Sequence, residues 1–315
     1  MEFRRLGSSG LVVSVVGLGT NNLGRKLDEA QSKEVVTAAL DQGVTLFDTA
    51  DVYGASEERL GALLESTRDD VVIATKFGHR VRGGPNDIGE DWDARGSRRY
   101  IMRAVEASLR RLRTDWIDLY QLHSPDPKTP IDETLSALTD LVRQGKVRYV
   151  GNSQFTGWQV AHAEWVARTR GFEHFISAQN QYSLLDREIE ADLVPALLEY
   201  DLGLLPFFPL ANGLLTGKYR RGEPPPEGSR IQMWKRESLL TDDVFDRLED
   251  LEAFAHARGV QLLDVAIGGL AAQPAVASVI AGATSREQVE ANVAAGAWQP
   301  TRDDLAELDE ITAAA

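Results

Sequence analysis

The sequence lacks several features on which whole classes of protein depend. It contains no cysteine, which excludes disulfide bonds, thiolate catalysis and cysteine-ligated metals. No apolar run is long enough to span a bilayer, and residues 1–6 lack the apolar core of a signal peptide. Basic residues are in deficit, because 34 Lys and Arg face 48 Asp and Glu for a formal net charge of −14. Such a surface repels phosphate backbones, so we expect no nucleic-acid partner, no membrane partner and, by default, a cytoplasmic location.

What is present is an alternation of short apolar segments with longer amphipathic ones. A β-hairpin is predicted at 3–13, with its turn at 7–10. Segments rich in Val, Ile and Leu predict buried strands at 15–19, 44–48, 71–75, 117–122, 147–151, 175–179, 204–208 and 276–280. Amphipathic patterns predict helices at 32–42, 56–65, 97–112, 131–144, 156–170, 191–200, 241–258, 262–272 and 285–295.

Apolar strands that alternate with helices indicate a parallel sheet buried on both faces. Eight such units match the (β/α)8 or TIM barrel, and an open doubly wound sheet is the competing arrangement. The barrel is favoured because eight strands are predicted and no change in composition divides the chain. We therefore predict an α/β fold, with one (β/α)8 barrel domain over residues 1–315 and an N-terminal β-hairpin. Long loops at 79–96 and 219–231 are expected over the C-terminal face.

Polar side chains follow the predicted strands at the C-terminal face, where barrels hold their chemistry. Four of them are able to act as acids, bases or charge partners: Asp48, Tyr53, Lys76 and His123. A free tyrosine has a pKa of about 10, and a neighbouring lysine ammonium lowers that pKa. An aspartate holds the lysine, and a histidine hydrogen-bonds a substrate oxygen or relays the proton. This set suits proton donation to an oxygen that gains negative charge, as in hydride addition from a cofactor to a carbonyl.

Each of these residues also has an ordinary structural explanation when it is taken singly. Aspartate after a strand commonly caps a turn, tyrosine packs, lysine is a surface charge, and a histidine before Ser-Pro bonds its own turn. Their joint occurrence at matching strand ends favours the chemical interpretation. A metal-dependent barrel hydrolase is a further alternative. It needs a cluster of ligands that five histidines and no cysteine do not form here, so we expect no metal.

Long segments resemble the aldo-keto reductase family almost from end to end. They are LGSSGLVVS at 6–14, GVTLFDTADVYG at 43–54, ATKFG at 74–78 and DWIDLYQLHSPD at 115–126. The resemblance implies NADPH-dependent reduction of a small-molecule aldehyde or ketone to an alcohol. In that reaction Tyr53 would be the general acid, Lys76 and Asp48 would tune it, and His123 would orient the carbonyl. The sequence is most similar to bacterial-type members and to the branch of channel β-subunits.

The resemblance also implies which residues bind NADPH. Ser153, Gln154 and Gln179 would hold the nicotinamide amide, with Gln154 in place of the usual Asn. Phe207 would stack on the nicotinamide where Tyr is common, and Phe208 replaces a small Ser. The other members of the predicted cofactor site are Gly19, Thr20, Asp48, Leu210, Gly213, Leu214, Gly217, Lys218, Gly282, Thr284, Ser285, Arg286, Gln288 and Asn292.

Two segments would hold the rest of the cofactor. LANGLLTGKY at 210–219 resembles a strap for the pyrophosphate, and GATSREQVEAN at 282–292 resembles an adenosine clamp. Ser285 and Arg286 would meet a 2′-phosphate at a helix start, which favours NADPH over NADH. The strap is not a P-loop, because Tyr219 occupies the Ser/Thr position, and GLGTNN at 17–22 lacks the third glycine of the Rossmann motif.

Loop position alone suggests a mixed aromatic and polar substrate pocket. Its candidate residues are Asn21, Asn22, Trp92, Phe155 and Trp234. Such a pocket suits sugars, aliphatic aldehydes and ketones alike, so the physiological substrate, the favoured direction and the oligomeric state stay open. A second function also stays open at the level of sequence. It is a regulatory module that binds NADPH and turns over weakly, as in the channel β-subunits that share this fold.

Overall fold

The computed structural model describes residues 1–81, 87–89 and 93–313. It opens with an antiparallel hairpin of β1 (Phe3–Arg5) and β2 (Val12–Ser14), and this confirms the hairpin predicted at 3–13. Gly7 in the turn has a φ of +60°, and a Cβ there would lie 2.5 Å from the carbonyl oxygen of Asp201. The turn therefore needs glycine both for its backbone conformation and for its close approach to the barrel.

The hairpin is followed by an eight-stranded parallel sheet. Its strands are β3 (Val16–Gly19), β4 (Leu46–Asp48), β5 (Val72–Phe77), β6 (Ile117–Leu122), β7 (Val147–Ser153), β8 (Phe175–Gln179), β9 (Gly203–Leu204) and β10 (Val279–Gly282). Their order in space is β10-β3-β4-β5-β6-β7-β8-β9. Each strand of this sheet runs parallel to its neighbours, so the carboxyl ends of all eight meet at one face.

The two edge strands, β9 and β10, come together and close the sheet. The amide of Leu204 donates to the carbonyl of Ala275 at 2.7 Å, and the amide of Ala277 donates to the carbonyl of Leu204 at 2.9 Å. The amide of Ile280 donates to the carbonyl of Pro206 at 3.0 Å. Parallel strands closed in this way form the predicted (β/α)8 barrel.

Helices surround the barrel. In the described residues they are α1 (Glu29–Asp41), α2 (Ser56–Leu64), α3 (Arg98–Leu112), α4 (Ile131–Arg143), α5 (Gly157–Arg170), α6 (Leu193–Glu199), α7 (Arg230–Met233), α8 (Asp242–Ala257), α9 (Leu262–Ala271), α10 (Arg286–Ala295) and α11 (Arg302–Thr312). None of them combines the length and apolar character needed to cross a bilayer.

Separate apolar clusters fill the inside of the barrel and the layer between strands and helices. Leu6 and Val13 of the hairpin are fully buried in the inner cluster together with Leu46 and Leu119. The amide of Ser14 also donates to the hydroxyl of Thr45 at 2.9 Å, at the start of β4. The hairpin therefore covers the amino-terminal end of the barrel, opposite the face that carries the polar residues.

Several boundaries differ from the predicted ones. The strand predicted at 204–208 shortens to Gly203–Leu204, because Pro206 and Pro209 lack amide donors and Phe208 has a φ of +54°. The strand predicted at 276–280 begins at Val279, since residues 276 and 277 pair with Leu204 instead. Helix α11 was not predicted, although Thr301 and Asp304 form a capping box that marks its start.

Candidate active site

Lys76, in β5, has a completely buried side chain at the carboxyl end of the barrel. Its ammonium donates to both carboxylate oxygens of Asp48 at 2.7 Å and to the carbonyl oxygen of Thr49 at 2.8 Å. Burial alone lowers the pKa of Lys76, but Asp48 and Tyr53 outweigh burial, and the pKa is raised. The ammonium therefore stays charged inside the protein.

Tyr53 lies in the loop between β4 and α2, and hydrogen bonds hold this loop against β5. The amide of Thr49 donates to the carbonyl of Ala74 at 2.8 Å, and the amide of Asp51 donates to the carbonyl of Lys76 at 3.2 Å. Tyr53 itself donates its amide to the carbonyl of Ala50 at 3.0 Å. These bonds fix the tyrosine beside the strand that carries the lysine.

Two cations flank the Tyr53 ring. The ring centre lies 5.2 Å from the ammonium of Lys76 and 6.0 Å from the guanidinium carbon of Arg25. Arg25 belongs to a loop that packs directly on the tyrosine turn, where a Cβ on Gly24 would lie 1.6 Å from the Tyr53 carbonyl oxygen. Only glycine permits this contact.

The pKa of the Tyr53 phenol is raised, whereas the sequence analysis expected it to be lowered. Burial raises the pKa, the charge of Lys76 opposes that effect, and the balance leaves the pKa above its ordinary value. The sequence analysis took account of the Lys76 ammonium, which lowers the pKa of Tyr53. It did not include the larger effect of burial, which removes the phenol from water and raises that pKa. The phenol is therefore protonated at neutral pH, and Lys76 lies where it stabilises the phenolate once the proton has left.

His123 follows β6, and its amide donates to the carbonyl of Phe77 at 2.8 Å. Its ring meets the Tyr53 ring edge to face with the centres 5.9 Å apart. Burial, followed by the charges of Lys76 and His79, lowers the pKa of His123 well below its usual value. The structure thus brings Asp48, Tyr53, Lys76 and His123 into one site, with the imidazole uncharged.

The residues predicted to hold the nicotinamide amide form one hydrogen-bond network. Ser153 donates its hydroxyl to the carbonyl of Gln179 at 2.8 Å, and the side-chain amide of Gln179 donates to Asp48 at 2.8 Å. Gln154 has a φ of +60°, and its side-chain amide donates to the carbonyl of His123 at 2.9 Å. The three residues lie together beside Asp48, but the Gln154 side chain is turned toward the protein.

Gly19 and Thr20 lie at the end of β3, beside Asp48. Gly19 pairs with Asp48 in the ladder. The hydroxyl of Thr20 donates to the carbonyl of Asp48 at 2.8 Å and lies 2.8 Å from the hydroxyl of Ser56. The Thr20 hydroxyl therefore supports the Asp48 backbone, and its predicted contact with the cofactor stays a prediction.

The predicted substrate residues differ in how exposed they are. Phe155 is only 4% exposed and packs in the core against Phe175, with ring centres 5.8 Å apart. The apolar ring turns inward after β7, so its place in the substrate pocket stays a prediction. Trp234 is 43% exposed and lies near Phe208, at a ring distance of 6.3 Å. Trp92 lies outside the described residues.

Four further aromatic and polar residues from the sequence analysis lie around the mouth of the barrel. Phe207 and Phe208 are half-buried, and their rings meet edge to face at 5.3 Å. Asn21 is half-buried, and Asn22 donates its side-chain amide to the carbonyl of Ala283 at 3.2 Å. This bond ties the first loop of the barrel to the segment predicted to clamp adenosine.

The predicted pyrophosphate strap folds as the 3-10 turns of Ala211–Thr216. Gly213 and Gly217 have φ values of +93° and +72°, and Leu214 is buried in the core. The amide of Gly213 donates to the carbonyl of Leu210 at 2.7 Å, so this amide is not free for a phosphate. A Cβ on Gly213 would lie 3.2 Å from the ammonium of Lys218, which places the lysine directly over the strap.

Cations without acidic partners in the described residues surround this strap. They are Lys26, Lys218 and the half-buried Arg230. Burial lowers the pKa of Lys218, and so do the charges of Arg230 and Lys26. Burial and Arg236 lower the pKa of Arg230 in the same direction. Unpaired cations around one loop of a strongly acidic chain indicate a site for an anion.

Arg230 was not identified from the sequence. It begins α7, inside the segment interpreted as a surface loop, and no spacing pattern distinguishes it from Arg220 or Arg221. Those two arginines bind carboxylates of α8, whereas Arg230 lies over the rings of Phe208 and Trp234 at 5.2 and 5.0 Å. Only the folded structure distinguishes Arg230 from these two arginines.

The predicted adenosine clamp starts α10, where Ser285 is the N-cap. Gln288 accepts hydrogen bonds from the amide and hydroxyl of Thr284 at 2.9 and 3.1 Å, and Asn292 is buried. Arg286 bonds Asp41 at 3.3 Å and lies 3.6 Å from Glu290. Gly282 ends β10 beside this clamp. A 2′-phosphate would compete with two carboxylates for this arginine.

A separate cleft of about 780 Å³ lies outside the barrel, along α3. Carboxylates and arginines both line it, among them Glu58, Glu106 and Arg110, and it shares no residue with the four strand-end side chains. Among the described residues, no group of three or more His, Asp and Glu side chains is arranged to hold a metal ion.

Comparison with known proteins agrees with this geometry. Residues 15–313 match the model of the aldo/keto reductase family, and the chain belongs to that family. It is 35% identical to a probable voltage-gated potassium channel subunit beta of Arabidopsis thaliana, over 94% of this chain and 91% of the relative. It is 35% identical to the uncharacterized oxidoreductase YrpG of Bacillus subtilis, over 99% and 96% of the two chains.

The L-glyceraldehyde 3-phosphate reductase of Escherichia coli is 33% identical to the chain, over 94% of this chain and 87% of the enzyme. The family and its oxidoreductase members support an oxidoreductase function for this protein, with a nicotinamide dinucleotide as the general cofactor of the family. The channel-subunit and bacterial relatives match the branch that the sequence motifs indicated.

Proposed function

We propose that this protein is an NADPH-dependent reductase that converts aldehydes or ketones to alcohols, with Tyr53 as the proton donor. The observation that carries the proposal is the buried ion pair of Lys76 and Asp48 beside Tyr53. A buried lysine with no chemical task is costly to keep charged, whereas one beside a phenol stabilises the phenolate that proton donation leaves behind. We further propose that the whole chain acts as one catalytic domain in the cytoplasm.

The residues around the barrel mouth fit a dinucleotide phosphate. Lys26, Lys218 and Arg230 offer positive charge without acidic partners in the described residues, and Ser285 offers a hydroxyl at a helix start. Ser153 and Gln179 would hold the carboxamide at the opposite end, with Phe207 against the ring. When NADPH is bound there, it supplies the hydride that the chain itself does not contain.

The side chains of the site would then perform the proton transfer. Neutral His123 donates a hydrogen bond to the carbonyl oxygen and polarises it. The hydroxyl of Tyr53 gives its proton to that oxygen as the C–O double bond becomes single and the alcohol forms. The ammonium of Lys76 stabilises the resulting phenolate, and Asp48 keeps the lysine charged and in place.

A second function is kept because channel β-subunits are among the relatives. In this alternative the chain is a regulatory module that binds NADPH and turns over weakly. The four site residues do not separate the two functions, but the rate of multiple turnovers does. Steady reduction of 4-nitrobenzaldehyde at an ordinary enzyme rate supports the reductase, whereas one slow turnover per site supports the module.

Tyr53→Phe tests the reductase proposal. The phenylalanine ring keeps the packing and lacks only the hydroxyl that donates the proton, so we expect the reduction rate to fall about 10²–10⁴-fold while NADPH still binds. Absorbance of NADPH gives the rate, and fluorescence titration gives the affinity. The matched control is Tyr200→Phe, at the end of α6 and beside Arg168, which should leave both quantities unchanged. Near-normal reduction by Tyr53→Phe contradicts the proposal.

A further inference from the structure

A second histidine, His79, lies flat against His123. The two ring centres are 3.8 Å apart and the ring planes differ by 5°. His79 follows β5 and His123 follows β6, whose last residues Phe77 and Leu122 are partners in the sheet. The hydrogen bond from the His123 amide to the Phe77 carbonyl sets the spacing between the two loops at this point. The stacking is thus a consequence of the barrel register.

Positive charge faces both imidazoles. His123 faces Lys76 and His79, and its ring meets that of Tyr53 edge to face. His79 faces Lys76 and Arg95. Asp93, a carboxylate of the described part of this loop, is bonded by Arg95 at 2.9 Å and by Arg80 at 3.5 Å. In the described part of the chain, the charges that shift the pKa of either ring are all positive.

This arrangement opposes charging of the pair. Burial, Arg95 and Lys76 lower the pKa of His79, while burial, Lys76 and His79 lower the pKa of His123 much further. Because His79 is the less buried ring, a first proton goes to it, and two stacked cations at this distance repel each other. A proton on His79 therefore keeps a second proton off His123.

The buried Nδ1 atom of His123 also opposes protonation of the ring. It has no hydrogen-bond partner among the described residues. A buried N–H without an acceptor is rarer and costlier than an unpaired acceptor, so we assign the ring proton to Nε2. The charged ring, which carries N–H at both nitrogens, would leave one of them buried and unpaired.

We propose that His79 is a positioning residue for His123: its stacked ring fixes the plane of the His123 imidazole and keeps that imidazole uncharged. His123 then presents an Nε2–H donor in a fixed direction down to mildly acidic pH. The kinetic consequence rests on the proposed carbonyl reduction, whereas the effect on protonation of the histidine does not.

Two variants separate the contributions of the ring and of its charge. His79→Phe keeps a flat ring against His123 and removes the titratable group, while His79→Gln removes both. His162→Phe is the matched control, since His162 is also stacked on aromatic rings, those of Trp158 and Trp165 on the outer face of α5. Fluorescence titration with NADPH shows that each variant is folded.

The protonation of His123 is measured by NMR of isotope-labelled histidine rings, with its signal assigned through loss in His123→Asn. We expect the His123 titration to move to higher pH in both His79 variants and to stay unchanged in His162→Phe. Identical His123 titrations in wild type and His79→Phe overturn the proposal, whether or not the protein reduces any carbonyl.

Kinetics test the second half of the proposal. The ratio of kcat/KM at about pH 5.5 to that at about pH 7.5 should fall roughly threefold further in His79→Phe than in wild type. At neutral pH, His79→Gln should lose roughly tenfold in kcat, because its ring no longer fixes His123, while His79→Phe should not. A shifted His123 titration in a protein without reductase activity counts against the proposed function alone. Normal kcat in His79→Gln counts against positioning by the ring.

Discussion

Arg230 and Arg286 both lie near the expected cofactor, but their surroundings differ. Arg286 is bonded to Asp41 and lies beside Glu290, and the hydrogen bond with Asp41 is the main cause of its raised pKa. Arg230 is half-buried among aromatic rings, has no acidic partner in the described residues, and has a lowered pKa. An anion therefore gains more from Arg230, whose charge is not already neutralised.

We expect Arg230→Gln to weaken NADPH binding about 10- to 100-fold, the usual effect of losing one charge-assisted hydrogen bond to phosphate. Fluorescence titration measures the Kd, and Arg220→Gln is the control, because Arg220 is exposed and paired with Glu252.

Arg286→Ala should weaken binding less than Arg230→Gln does, and only for NADPH, with no change in the Kd for NADH. Equal Kd values for Arg230→Gln and wild type, or equal weakening of NADPH and NADH by Arg286→Ala, contradict these assignments.

Individual residues were predictable from sequence where the strand pattern and the chemistry coincided. Asp48 and His123 end or follow a strand and Lys76 is the penultimate residue of β5, so the barrel alone brings the three together. Phe155 also follows a strand, but its ring turns into the core. The direction in which a side chain leaves a loop depends on packing with distant segments, and one sequence does not contain that information.

Among the elements, the starts of β5, β6 and β7 are joined by a charged cluster at the amino-terminal end of the barrel. Asp118 in β6 is 2% exposed and accepts hydrogen bonds from Arg68 at 2.6 Å, from Arg148 at 3.1 Å and from the amide of Ile73 at 3.0 Å. Both arginines also lie 4.5 Å from the ring of Trp116. This end of a barrel serves stability and not chemistry.

Asp118→Asn should therefore destabilise the fold and spare the site. Removing the charge leaves Arg68 buried without a counter-ion, which lowers the free energy of unfolding by about 3 kcal/mol. Urea denaturation followed by circular dichroism measures the change. The control Asp115→Asn, at an exposed position three residues earlier, should leave the urea midpoint unchanged. An unaltered midpoint for Asp118→Asn, or loss of NADPH binding by its folded form, is the contrary result.

Strands with a continuous apolar pattern were predictable from the sequence. Elements whose bounds depend on a local feature, such as a proline or a positive φ, were not. The strands Ile117–Leu122 and Phe175–Gln179 were predicted at their observed bounds, because continuous apolar runs leave little choice of register. The segment 204–208 has an equally apolar pattern, yet Pro206 and the positive φ of Phe208 limit the regular strand to Gly203–Leu204, and only an isolated bridge follows at Phe207. For helix α11, the capping residues were visible in the sequence, but its packing against α8 was not predictable from it.

At the scale of the whole molecule, the closed barrel gathers chemistry from residues that are far apart in the chain. Gln179 bonds Asp48 across 131 positions, and Lys76 bonds the same carboxylate across 28. A net charge of −14 would disfavour an anionic cofactor at long range, and the local cations around residues 210–219 offset it at short range. The overall fold therefore decides which of the 34 basic residues act together.

The central claim is that the buried Lys76–Asp48 pair makes Tyr53 an effective proton donor. Its most direct test is the pH dependence of kcat/KM for carbonyl reduction in wild type and in the double variant Lys76→Met/Asp48→Asn, which removes both charges and leaves neither buried alone. Wild-type reduction should hold through neutral pH and decline where Tyr53 loses its proton. The double variant should lose about 10²-fold or more at neutral pH, with its alkaline decline moved upward, because the larger of the two effects on Tyr53 is that of Lys76. A folded double variant with wild-type kcat/KM and the same pH profile would contradict the account.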